Sequence, residues 1–180
     1  MISEKDLIKE LQTKATREKA FTALVGTYQE RLYWHIRRIV LVHDDADDVL
    51  QNTFIKVYRH IGNFKGESKL FSWMYRIATN EALTFLAQRS KKMGFSDTEH
   101  QERMMASLQA DVYFEGDAIQ LKLQQAIATL PEKQKLVFNM KYYDELKYGE
   151  ISEILETSVG ALKASYHLAV KKLEAFLKET

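Results

Sequence analysis

Cysteine is absent from the 180 residues, proline occurs once and glycine seven times. The lack of thiols excludes a disulfide framework, a thiolate metal site and a cysteine nucleophile, and it suits a reducing compartment such as the cytoplasm. So little Pro and Gly leaves few places for tight turns, which favours long helices over many short strands. No apolar run approaches the ~18 residues that a bilayer span requires, so membrane insertion is not expected. The first residues, MISEKDLIKEL, alternate charge with apolar positions at helical spacing, a pattern foreign to a secretory leader. Nor does one sign of charge dominate. Lys and Arg number 26 against 25 Asp and Glu, so the bulk composition announces no nucleic-acid partner.

The distribution of charge says more than its total. Residues 56–92 hold eight basic side chains against two acidic ones, whereas residues 94–118 hold six acidic side chains and one Arg. Blocks of opposite sign suggest separate electrostatic tasks. Between and around them the chain is rich in apolar residues at three- and four-residue steps, the helical period. The predicted fold is therefore all-α, in two helical domains: 1–92, an acidic linker over 93–117, and 118–180. A structureless stretch of that length is out of place inside one compact domain, and so it marks the boundary.

In chain order, residues 3–13 read as a short helix with Ser3 as its cap, and 20–42 as a longer one built on Phe21, Leu24, Val25, Tyr28, Leu32 and Ile36. The segment HDDADDVLQNTFIKVYRHIGNFKGESKLFSWMYRIA, residues 43–78, is the most peculiar. Four aspartates in five positions open an amphipathic helix whose buried stripe is Ala46, Val49, Leu50, Thr53, Phe54, Val57 and Ile61. Asp44 or Asp45 is predicted to cap it, since a short carboxylate accepts from the first helical N–H groups. Capping accounts for two aspartates and not four, because like charges at this density repel. Gly62 is predicted to end the helix in a left-handed turn. The polar loop NFKGES exposes Phe64 unless its ring folds back, and Ser68 is predicted to cap the helix over 69–90. On that helix Trp73, Arg76 and Asn80 fall at i, i+3 and i+7 and so share a face. Aromatic rings beside cations fit single-stranded nucleic acid, in which bases stack and phosphates pair.

After the linker, with a helical piece predicted over 102–108, periodicity returns at residue 118. Pro131 is predicted to begin the second helix of the C-terminal half. A short helix over 148–156, a turn at Thr157 and Ser158, and a long helix over 159–177 give helix-turn-helix spacing, in which the second helix enters the major groove. Lys163, His167 and Lys171 lie on one exposed face of it at i, i+4 and i+8. Lys147 is a poor cap and Gly149 follows it, so the short helix is predicted to start loosely. The five histidines show no metal-ligand spacing, no Gly-rich phosphate loop follows a strand, and no nucleophile–base arrangement stands in a motif context. No catalytic residue, metal or cofactor is therefore expected.

DDADDVLQNTFIKVYRHIGNFKGESKLFSWMYRIATNEA resembles the promoter-melting region of the extracytoplasmic-function (ECF) sigma factors of bacterial RNA polymerase. LPEKQKLVFNMKYYDELKYGEISEILETSVGALKASYHLAVKKL is similar to the helix-turn-helix of the same family, and the two stand in the family's order. The resemblance implies a factor that binds core RNA polymerase, recognises promoter DNA and promotes strand opening. Asp47, Asp48, Gln51 and Asn52 would dock on the beta-prime clamp. Lys56, Tyr58, Arg59, Phe64, Lys65, Ser68, Trp73, Arg76 and Asn80 would contact the single strand of the minus-ten element. Ser158, Lys163, Ser165, His167 and Lys171 would serve the minus-thirty-five element. It implies further an anti-sigma partner, a cytoplasmic location and a monomer when free. One departure stands out: three arginines usual in the family's recognition helix are here Ser165, Leu168 and Val170, so a different sequence should be read. Two other readings fit the residues without the resemblance: a helix-turn-helix regulator of duplex DNA, and a helical adaptor using the Phe/Trp surface as a protein interface.

Overall fold

The computed structural model describes residues 3–94, 98–99, 102–103, 105–106 and 118–179. Among the described residues every regular element is helical. Helix α1 (Glu4–Gln12) starts where Ser3 Oγ accepts from the Asp6 N–H at 3.2 Å, as its spacing predicts. Helix α2 (Arg17–Val40) ends on Leu41 in the left-handed region, φ 62°. Helix α3 (His43–His60) runs into a 3-10 turn (Ile61–Asn63), and helix α4 (Leu70–Met93) closes on Gly94 at φ 63°. The second half contains α5 (Ala118–Ala128), α6 (Glu132–Tyr142), α7 (Tyr148–Leu155) and α8 (Val159–Lys178).

The predicted elements are present, and several of their predicted ends are not. Val42 is the N-cap of α3, and no side chain caps it, so neither Asp44 nor Asp45 has that role. Asp45 instead pairs with Arg89 across on α4, a better use of a carboxylate than one more acceptor in a crowded first turn. Gly62 sits inside the 3-10 turn, and the positive φ of this loop belongs to Gly66 at 73°. Lys69, not Ser68, stands at the N-cap position of α4 without a side-chain cap bond, and the Leu70 N–H donates to Glu4 Oε1 of α1 at 3.3 Å. Pro131 stands one residue before α6, extended at ψ 145°. Helix α7 is not loosely begun: Glu150, three residues on, accepts from the Lys147 N–H at 2.9 Å and so caps the helix from inside. Most of the linker prediction lies outside the described residues, although Glu102, Arg103, Met105 and Ala106 are helical.

Helices α2, α3 and α4 bury Leu24, Leu32, Ile36, Val49, Val57 and Met74 among them. Ala78 and Ala82, fully buried, let α4 approach its neighbours closely. The second half has its own cluster, in which Ala126, Ile127 and Leu130 pack with Phe138, Ala169 and Leu173. Phe138 and Tyr166 stack there at 5.8 Å and 13°. The halves are not separate: Leu136, Val137, Met140, Ile151 and Leu162 continue the first cluster, with α7 against α4 and α6 against α2.

Candidate nucleic-acid interface

The acidic start of α3 is divided among several partners. Asp45 is tied to Arg89, and Asp47 Oδ2 lies 3.4 Å from Nε2 of His43, whose Nδ1 is 2.6 Å from the Tyr33 hydroxyl. Asp48, Gln51 and Asn52 are exposed and follow one another along a single face. Ile55, 47% exposed, continues that face at i+7 from Asp48. The sequence reading missed it, although its place outside the buried stripe was a usable signal. An apolar side chain held in water beside one carboxylate and two amides offers a partner helix both contact area and hydrogen bonds.

The basic and aromatic half is drawn together less openly than its spacing predicts. Phe64 is 9% exposed: the ring folds back onto Trp73, centroids 5.0 Å apart, and joins the core. Gln12 fixes the loop from α1, donating through Nε2 to the carbonyls of Ile61 at 3.2 Å and Phe64 at 2.8 Å. Nothing in the local sequence points to that glutamine. Tyr58 packs edge-on against Phe21 at 5.0 Å, with the Arg17 guanidinium 5.9 Å from its ring centre. Lys56 pairs with Glu81 on α4. Arg59, Lys65 and Asn80 are exposed, Ser68 and Trp73 partly so.

The C-terminal half supplies the remaining partners of this surface. Arg76 Nη1 lies 2.9 Å from Glu156 Oε1, and Lys69 Nζ lies 3.4 Å from Glu150 Oε1. Two carboxylates of the second half thus pair with cations of the first. The Glu150 carboxyl is held below the ordinary glutamate range by the Lys147 backbone N–H, with Lys69 adding to the effect. Deeper in the same interface, Asp144 is 8% exposed and contacts α2 three times. Its Oδ2 is 3.0 Å from His35 Nδ1, its Oδ1 accepts from Arg38 Nη1 at 2.6 Å, and its carbonyl accepts from Arg31 Nη2 at 3.2 Å. The other nitrogen of His35 is 2.8 Å from the Thr79 hydroxyl of α4, so a single ring links α2, α4 and the turn after α6. Tyr75, fully buried beside it, has its phenol pushed up by burial.

Helix α8 is placed differently. Ser158 is its N-cap, and its Oγ accepts from the Ala161 N–H at 3.3 Å. Leu162, Ala169 and Leu173 face inward, while Lys163, His167 and Lys171 face solvent and Ser165 is partly covered. Lys163 Nζ also reaches to 5.9 Å from the centre of the Tyr148 ring. The packing of α7 against α4 leaves this outward face of α8 open.

Two family models match the chain. The family model described as Sigma-70 region 2 matches residues 24–92, and that described as Sigma-70, region 4 matches 120–173. The chain is similar to the ECF RNA polymerase sigma factor SigW of Bacillus subtilis, at 34% identity over 93% of this chain and 94% of that protein. It is similar also to the ECF RNA polymerase sigma-E factor of Escherichia coli K12, at 30% identity over 82% and 81%. Among solved structures, CnrH in complex with the cytosolic domain of CnrY superposes with a TM-score of 0.69 over 96% of each chain at 20% identity. The sigma factor RpoE in complex with the anti-sigma factor NepR from Bartonella quintana gives 0.68 over 89% of this chain and 98% of that one, at 18%. At such identities these two likenesses concern the fold alone.

Proposed function

The chain belongs to the ECF sigma factors of RNA polymerase, and from that premise we propose which of its residues carry each step of initiation. As a member it binds core polymerase, recognises promoter DNA and promotes strand opening. The observation that carries the assignment of sites is the order of surfaces along α3 and α4: acidic, then basic and aromatic, on one rigid pair of helices.

Asp47, Asp48, Gln51 and Asn52 form the polymerase-facing patch, and Ile55 is its apolar centre. Basic and aromatic residues next to it take the displaced strand. Trp73 keeps part of its ring in solvent with Phe64 behind it, so Trp73 is the platform for a base and Phe64 its support. Asn80 supplies hydrogen bonds to a base edge. Lys56, Arg59, Lys65 and Arg76 follow the phosphates, Tyr58 and Ser68 border the same strand, and the affinity they give depends on salt. Captured bases shift the closed–open equilibrium of the duplex, so the factor acts without catalysing a reaction and without a cofactor. In the second half Ser158, Lys163, Ser165, His167 and Lys171 belong to the helix-turn-helix that meets the minus-thirty-five element. The domains are 1–92 and 118–180, joined by the acidic stretch. The factor works in the cytoplasm as a monomer when free, with an anti-sigma protein as its regulator.

Core polymerase tests this directly. The chain should co-elute with the core enzyme and support initiation from a defined start. Asp47→Lys/Asp48→Lys should weaken core binding at least tenfold, with helicity and melting temperature unchanged. A wild-type chain that ignores core polymerase but binds duplex DNA as a dimer would show a regulator instead.

A further inference from the structure

The exposed side of α8 carries an apolar strip. At 100° per residue, Ala161, Ala164 and Leu168 (i, i+3 and i+7) share an arc of about 60° to one side of Lys171, which stands directly opposite the buried Leu162, Ala169 and Leu173. All three are exposed, Leu168 at 48%, and Val159 at the helix start is exposed at 37%. Lys163, His167 and Lys171 flank this strip on one side and Lys172 on the other, all exposed. An apolar strip between two basic edges matches the cross-section of a major groove, with bases in the middle and a phosphate row on each side. None of the three side chains of the strip has a hydrogen-bond donor or acceptor. The strip itself therefore lacks the arginine or lysine that reads guanine and the amide that reads adenine. The one apolar mark that an unmodified base pair displays in the major groove is the C5-methyl group of thymine.

We propose that α8 recognises the minus-thirty-five element by apolar contact with thymine methyl groups, Ala161, Ala164 and Leu168 being the specificity-determining residues. The inference rests on the reading of α8 as the helix that enters the groove. The strip spans seven residues, about 10 Å along the helix, which corresponds to roughly three base-pair steps. Short side chains bring the helix close to the groove floor, and Leu168 reaches the methyl farthest from the helix start. Lys163, His167, Lys171 and Lys172 hold the phosphates and fix the register without reading sequence.

The holoenzyme made from core polymerase and the full chain tests this. Its preferred duplex is first selected from a randomised pool, and each selected thymine upstream of the melted region is then replaced by deoxyuridine. That replacement removes the methyl and keeps the base pair. We expect thymines in the selected upstream element and an affinity loss of about fourfold per methyl removed. Leu168→Ala should cancel the thymine–uracil difference at one position and leave the others unchanged. Lys163→Gln/Lys171→Gln should instead weaken all duplexes alike and flatten the salt dependence. An upstream element read equally well with uracil overturns the methyl reading while leaving α8 in the groove. No upstream preference, together with no effect of the lysine variant, overturns the placement of α8 and the methyl reading with it.

Discussion

The two regions proposed to face DNA are built on opposite terms. At α4, two cations already have carboxylate partners from the other half: Arg76, proposed for the single strand, with Glu156, and Lys69 with Glu150. Phe64, the aromatic side chain of the loop before α4, is packed away. On α8, Lys163, His167, Lys171 and Lys172 are exposed among the described residues, with Lys163 also reaching the Tyr148 ring. The contrast follows from how the halves dock, because α7 packs on α4 and turns α8 outward. On the proposed roles, the face for duplex DNA is open in the free chain, whereas part of the single-strand surface, Arg76, is paired with the other half. Duplex DNA is also what a closed promoter offers first.

The docking itself is the first thing to break. Asp144→Ala leaves His35 and Arg38 without their carboxylate in an interface that excludes most water. Removing one partner of such a cluster should destabilise the docked state by on the order of 3 kcal/mol. We expect a larger radius of gyration by solution scattering and tighter binding of single-stranded oligonucleotides. An unchanged scattering curve would mean that Asp144 does not hold the halves together.

A smaller effect should separate the caps of the two readers. Ser158→Ala removes the acceptor for the Ala161 N–H and should cost about 1 kcal/mol, lowering the melting temperature and loosening the first turn of α8. Ser68→Ala should change almost nothing in stability, because Glu4 supplies the acceptor at the start of α4. Thermal melts of the two variants decide the point, and equal losses would contradict the caps described.

The exposed ion pairs should matter less for stability than for binding. Glu150→Gln/Glu156→Gln frees two cations at under about 1 kcal/mol per pair. Single-strand affinity should then rise a few-fold, and the slope of log affinity against log salt should steepen by roughly 1.4. A slope like that of the wild type would show that neither cation reaches phosphate.

The weakest lever is pH. Because the folded Glu150 carboxyl lies below its ordinary value of 4.5, its contribution is present above about that pH. It is lost as the pH falls through the lower, folded value. Between pH 5 and 3, amide protection over 148–155, measured relative to intrinsic exchange, should fall in the wild type more than in Glu150→Gln. An equal fall in both would remove Glu150 as the internal cap.

The helices of both halves were legible because each carries a long apolar stripe, and Ser158 was legible because capping is local. The misses share one cause, distance along the chain. Arg89 takes Asp45 from 44 positions away, Gln12 holds the Phe64 carbonyl from 52, and Asp144 reaches His35 across 109. No window of periodicity spans such gaps. Glu150 differs: a Glu three residues after a poor cap is a local signal, and it offsets the weakness of Lys147. Ile55 is an apolar residue on a polar face and belongs to neither stripe.

The pairing of Glu150 and Glu156 with α4 also sets a threshold. Joined to α4 by the chain itself, these carboxylates act as competitors at an effective concentration on the order of millimolar, whatever the amount of protein in solution. A strand that touches α4 alone must displace them, and its apparent affinity is reduced by the fraction of molecules that are open. A promoter whose upstream element engages α8 adds a second point of attachment, and the strand contacts that follow become intramolecular as well. On the proposed roles, the closed chain should respond to the joint presence of two DNA elements more steeply than to the sum of each taken singly.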